Sequence, residues 1–200
     1  MTDYLVYQED GKDYLVDTGS PVSFNQTANL KVLNEISSKL ERPIAGVFGT
    51  DKIKQFKWHF DSSTQVLTKT NETKFSHYQA YDLGFYFGVP TIESSINDRP
   101  FTLFIDTCST LNYLVADLLT GESTIETHEY HPFLGDFVTK GYQRELGSLG
   151  LHKPVIVHAL PEKMRPAFTY KAKGIIGLPF FQDRDWIIDL ARSTWWMKKD

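Results

Sequence analysis

Short apolar runs alternate with polar turns along most of the chain, which is the patterning of strands and tight connections rather than of long helices. Residues 4–7 and 12–16 flank Glu9-Asp10-Gly11 and predict a hairpin. Leu30, Val32, Leu33, Ile36 and Leu40 fall at spacings near those of a helix face, so residues 29–40 are expected to be helical and to stop before Pro43. A buried strand at 44–48, closed by Gly49, a short helix from 51 to 56 and a strand at 58–67 follow. The second part repeats the scheme with strands at 84–92 and 101–105, a short helix at 116–119, an apolar segment at 174–177, a turn of helix at 179–182 and strand sequence over 186–197. Between these lie 123–129 and 137–144, which alternate as a hairpin turning near Phe133, Leu134, Gly135 and Asp136, and a further strand at 154–160.

Two stretches are near copies. Tyr14-Leu15-Val16-Asp17-Thr18-Gly19-Ser20 returns 89 residues later as Leu103-Phe104-Ile105-Asp106-Thr107-Cys108-Ser109. Gly46-Val47-Phe48-Gly49 returns as Gly174-Ile175-Ile176-Gly177 at a shift of 128, which also carries Trp58 onto Trp186 and Asp61 onto Asp189. The second copy is thus 39 residues longer between its aspartate and its glycine turn. We read two related halves, residues 1–72 and 84–200, joined by a polar linker at 73–83, in a mainly β protein with short helices.

Composition narrows the field. With 41% apolar and 14% aromatic residues in a chain of 200, a real core is expected. The net charge of -4 is scattered, which sets nucleic acid aside as a partner. No apolar run is long enough to span a membrane. The single cysteine, Cys108, excludes an intramolecular disulfide and a cysteine zinc site, and the first residues lack the pattern of a signal peptide, so a cytoplasmic setting is favoured. The histidines have no metal-ligand spacing, and neither metal nor cofactor is assigned.

Alone, each aspartate reads as an ordinary turn or cap residue. The repeat changes that, because equivalent turns in two halves packed about a pseudo-twofold axis meet at the axis and bring Asp17 and Asp106 face to face. Carboxyls that close share a proton, so one acts as acid and the other as base. Such a pair activates water toward a peptide carbonyl without metal or covalent intermediate.

Asp17-Thr18-Gly19-Ser20 and Asp106-Thr107-Cys108-Ser109 resemble the two active-site turns of the pepsin and retropepsin group of aspartic proteases. The two Gly-x-x-Gly segments resemble those that thread beneath those turns. The resemblance covers most of both halves. It implies a bilobal acid-protease fold in one chain, Asp17 and Asp106 as the catalytic pair, and an endopeptidase acting on a peptide or protein substrate. It also implies that Thr18 and Thr107 join the turns reciprocally, and that Ser20 and Ser109 bond the outer carboxylate oxygens. Bonds to the charged carboxylates suggest an acidic optimum.

Two departures shape the alternatives. Cys108 stands where the family has glycine, and only the second half has room for a flap hairpin, around residues 130–142 with Gly135 near its tip. A module of this fold that binds peptides or a protein partner without turnover is the rival reading. Cys108 as a nucleophile activated by His128, His131, His152 or His158 is a third, set against a packed thiol. Trp58, Trp186, Trp195 and Trp196 read as packing residues.

Overall fold

The computed structural model describes residues 4–72, 75–131, 134–147, 149, 154–168 and 172–199. Strands β1 (Val6–Glu9) and β2 (Lys12–Val16) form the expected hairpin through Asp10 and Gly11, both at positive φ. β3 (Phe24–Asn25) leads into α1 (Gln26–Lys39), whose N-cap Asn25 accepts from the Thr27 amide. The helix buries Leu33 and is kinked at Asn29. β4 (Ile44–Phe48), α2 (Thr50–Ile53), β5 (Lys57–Asp61) and β6 (Val66–Thr70) complete the first half. Then come β7 (Tyr78–Asp82), β8 (Gly84–Tyr86), β9 (Val89–Ile96), β10 (Arg99–Ile105), β11 (Tyr113–Leu114), β12 (Ile125–His131) and β13 (Gly135–Arg144). The chain ends with β14 (Val155–Ala159), β15 (Ala172–Ile176), α3 (Leu178–Phe181), β16 (Trp186–Asp189) and β17 (Thr194–Lys198).

The protein is mainly β, in three sheets ordered β1-β2-β4-β3, β12-β13-β14-β11-β15-β10-β9-β8 and β6-β5-β16-β17-β7. The third sheet joins strands of both halves through β5 and β16. The sequence repeat reappears in the pairing. β2 runs parallel to β4 with Leu15 opposite Val47, and β3 runs antiparallel to β4 with Phe24 opposite the same residue. At the shifted positions β10 runs parallel to β15 and β11 antiparallel to it, with Phe104 and Tyr113 both opposite Ile175.

Four expected elements differ. Residues 186–197 are the hairpin of β16 and β17, not one strand, since Asp189 Oδ1 accepts from the Arg192 amide and Ser193 takes positive φ to reverse the chain. Residues 58–67 are two strands, not one, because Asp61 accepts from the Ser63 amide and hydroxyl and from the Thr64 amide, and Gln65 takes positive φ to reverse the chain. Residues 84–92 also turn, through Phe87 and Gly88 at φ 51° and 81°, the two consecutive positive values of a tight hairpin. Within the 73–83 linker, Tyr78–Asp82 is a strand paired along β17, and its polarity is that of a sheet edge. Residues 73 and 74 lie outside those described.

The largest core cluster draws on both halves: Val16, Phe48 and Trp58 meet Ile105, Phe181 and Trp186. Trp58, Trp186 and Trp195 are fully buried, as expected of packing residues, while Trp196 stays partly exposed. Each buried indole contributes on the order of 5 kcal/mol of transfer free energy before ordering entropy is subtracted. The sheet they support fixes the first half against the second. No helix among the described residues is long and apolar enough to cross a membrane.

Candidate active site

Each aspartate leaves the end of an inner strand and is held by a local set of bonds that the two halves share. The Asp17 amide donates to Phe48 O and the Asp106 amide to Ile176 O, both at 3.0 Å. Asp17 Oδ1 accepts from the Gly19 and Ser20 amides at 2.8 and 3.2 Å, and Asp106 Oδ1 accepts from the Cys108 and Ser109 amides at 2.9 and 3.1 Å. The glycine segments run directly beneath. A side chain at Gly49 would meet Ser20 O at 2.8 Å, and one at Gly177 would meet Ser109 O at 2.5 Å, so only glycine fits. The next residues then close the arrangement, with Thr50 N on Ser20 O at 2.8 Å and Leu178 N on Ser109 O at 2.7 Å.

The two turns are joined by their threonines. Thr18 Oγ1 donates to Ile105 O at 2.8 Å and accepts from Thr107 N at 3.0 Å. Thr107 Oγ1 donates to Val16 O at 2.5 Å and accepts from Thr18 N at 3.0 Å. Both threonines are buried. The serines act differently from the expectation: Ser20 Oγ donates to Val22 O and Ser109 Oγ to Leu111 O. Their single hydroxyl protons are thereby committed to the backbone, and their amides serve the carboxylates instead.

A second matched pair was missed in the sequence. Ser23 Oγ and Asn112 Oδ1, again 89 residues apart, accept from the Gly49 and Gly177 amides at 2.9 Å. The 89-residue shift itself was the signal for them, since both positions are polar within apolar surroundings.

Asp17 and Asp106 are half-buried, line a cleft and lie within hydrogen-bonding reach of one another. Burial first, and then the charge of Asp106, push Asp17 well above the usual carboxylate range, against the pull of the Gly19 and Ser20 amides. Burial also raises Asp106, while the Cys108 and Ser109 amides, the bond from Asp17 and the nearby His131 hold it back. The pair therefore titrates as a unit. Burial thus outweighs the amide bonds at both carboxyls, and the charge of Asp106 adds to it at Asp17.

Gly19 packs against this pair so closely that a methyl group there would meet the Asp106 oxygens at 2.5 and 2.7 Å. At the matching position the Cys108 side chain turns into the first half, packing on the Leu15, Leu33, Ile44 and Val47 cluster with its Sγ 3.8 Å from Val16 O. Burial and the two aspartates push its thiol well up, which disfavours a nucleophilic thiolate. Of the histidines weighed as its base, His131 lines the same cleft, His158 bonds Thr127 Oγ1 with its Nε2 at 3.0 Å, and His152 lies outside the described residues.

The cleft encloses about 400 Å³ and is lined from both halves, by Leu15, Phe24 and Val47 on one side and Tyr113, Phe137 and Ile175 on the other. The hairpin of β12 and β13 reaches across it. Tyr130 Oη donates to Glu35 Oε2 of α1 at 2.7 Å, and Lys39 Nζ stands 3.4 Å from the center of the Tyr130 ring. Leu134, Gly135 and Asp136 lie at the tip of this hairpin, and Phe133 lies outside the described residues. The hairpin residues lining the cleft, however, are Glu129, Tyr130, His131 and Phe137. Their role depends on where the hairpin lands, which no local pattern reveals. No group of three His, Cys, Asp or Glu side chains suited to a metal ion occurs among the described residues.

No family model matches the chain, and no curated protein sequence matches it. Among solved structures it is similar to the crystal structure of basic 7S globulin from soybean, at 11% identity and a TM-score of 0.42, over 80% of this chain and 58% of that one. The chain thus spans less than two thirds of that protein's length.

Proposed function

We propose that this chain is an aspartic endopeptidase of bilobal, pepsin- or retropepsin-like fold, with two halves related by a pseudo-twofold axis. The observation that carries the reading is the buried reciprocal threonine link, which holds two half-buried carboxyls within hydrogen-bonding reach of each other. In the singly protonated pair, the ionised aspartate takes a proton from water as the oxygen attacks the peptide carbonyl, and the protonated one gives its proton to the carbonyl oxygen. Collapse of the resulting diol returns a hydroxyl proton to the second aspartate and passes the proton on the first to the leaving nitrogen. The pair ends as it began, and neither a metal nor a covalent intermediate takes part. The peptide lies extended between the halves, under the β12–β13 hairpin, held through its backbone with alternate side chains in the cleft walls.

A second reading is a module of the same fold that binds peptides or a protein partner without turnover. Cys108 beside the dyad and the Tyr130 contact with Glu35 across the cleft favor it. Fluorogenic peptide pools assayed from pH 3 to 8 separate the two. The peptidase reading expects cleavage that a statine-type peptide inhibits and that Asp17→Asn or Asp106→Asn lowers by about a thousandfold. Full activity in either variant would refute it, and peptide binding without cleavage across this range would favor the module.

A further inference from the structure

The two walls of the cleft are unlike each other. On the first-half side, Leu15, Phe24, Ile36 and Val47 present an apolar surface continuous with the local core. On the second-half side, Tyr113, Phe137, Met164 and Ile175 also pack together, but Glu129 stands among them. Its carboxylate is fixed in place: Oε2 accepts from Thr110 Oγ1, and Oε1 accepts from the Tyr130 amide at 2.8 Å. Each oxygen retains a lone pair for a further donor. Burial, followed by the charge of Glu129, pushes the Tyr113 hydroxyl up, so that carboxylate acts directly on this wall.

Among the described residues lining the cleft, Asp17, Asp106 and Glu129 bear carboxylates, and His131 is the one base. Even with one proton on the dyad, a second negative charge remains at Glu129. A lysine or arginine side chain fits this combination, its methylene stem against the apolar residues and its cationic head on the carboxylate. An acidic side chain in the same place meets repulsion.

We propose that the cleft selects a peptide with a large apolar side chain on one side of the scissile bond and a lysine or arginine on the other, and that Glu129 reads the cation. The inference rests on the endopeptidase reading for where the peptide lies, but a binding experiment tests it without turnover. The probes are peptides whose scissile bond is replaced by a non-cleavable hydroxyethylene link, with phenylalanine on one side and lysine or the neutral norleucine on the other, made in both orders. Calorimetry on the wild-type chain should show the lysine probe bound about tenfold more tightly than norleucine in one order. Glu129→Gln should bring that ratio close to one, and Thr110→Val, which removes one of the two anchors of the carboxylate, should reduce it in part.

Equal or weaker binding of lysine in both orders, or no binding of either probe, would overturn the inference. So would a lysine preference that survives Glu129→Gln with a native circular dichroism spectrum. If that variant does not fold, Thr110→Val decides, and an undiminished preference there overturns the proposal. Selective lysine binding by a chain that cleaves no peptide would remove the peptidase reading and leave this one standing.

Discussion

Thr18→Val is the substitution that most clearly separates a cross-linked pair of turns from two turns that merely lie near each other. Valine keeps the shape of threonine and removes only the hydroxyl. Two buried backbone groups then lose a partner, the Thr107 amide at 3.0 Å and the Ile105 carbonyl at 2.8 Å. Each orphaned group costs about 1–3 kcal/mol, so the variant should lose about 3 kcal/mol, a large share of the stability of a domain. For a chain of this size that corresponds to a fall of about 6–12 °C in melting temperature. Thermal and urea unfolding followed by circular dichroism measure it, and Thr107→Val should match, since it strands the Thr18 amide and Val16 carbonyl in the same way. A fall of less than about 2 °C in both variants would show that the link contributes little, and the reasoning would fail.

Other outcomes follow from the same geometry. Gly19→Ala should fold but lose about a hundredfold in kcat/KM, because its methyl displaces the Asp106 carboxyl, whereas Cys108→Ala should retain activity; wild-type turnover by Gly19→Ala would contradict the close approach. Cys108 should react with iodoacetamide at pH 8 at least about tenfold more slowly than a free thiol, and rapid labelling would contradict the raised thiol pKa beside the aspartates. The dyad also gives stability an unusual pH dependence. Both folded-state pKa values are raised, so the folded chain holds more protons than the unfolded one just above the ordinary carboxylate range of about 4, and stability present below that range declines as pH rises through the raised values. Asp106→Asn should therefore melt above wild type at pH 7, with the difference gone by about pH 4; a variant that melts lower at pH 7 would refute the sign.

The features legible in the sequence were those written locally or repeated. The 89- and 128-residue shifts marked the two related halves, and the same shifts reappear in the strand pairing because each half buries the same apolar run against the same glycine segment. The stripe of Leu33 and Ile36 marked α1, and Asn25 was the cap that would have set its start. The three hairpins read as single strands failed on turn chemistry: Asp61 followed by serines, Phe87-Gly88, and Asp189 ahead of Ser193 were the signals passed over. Tyr78–Asp82 failed for another reason, since an edge strand with one partner is as polar as a linker. Glu129, Tyr130 and Glu35 carry no local mark at all. They matter because a hairpin of the second half comes down on a helix of the first, and such a meeting depends on packing between segments 95 residues apart.

The central claim is that Asp17 and Asp106 share one proton, and the most direct test is a carbon-13 NMR titration of their carboxyl carbons, assigned with the two asparagine variants. The account predicts that both carbons respond together in two steps, the upper one well above the ordinary carboxylate range, and that removing either aspartate collapses the curve to a single step. Two independent curves, each centered near the ordinary value of about 4, would contradict it.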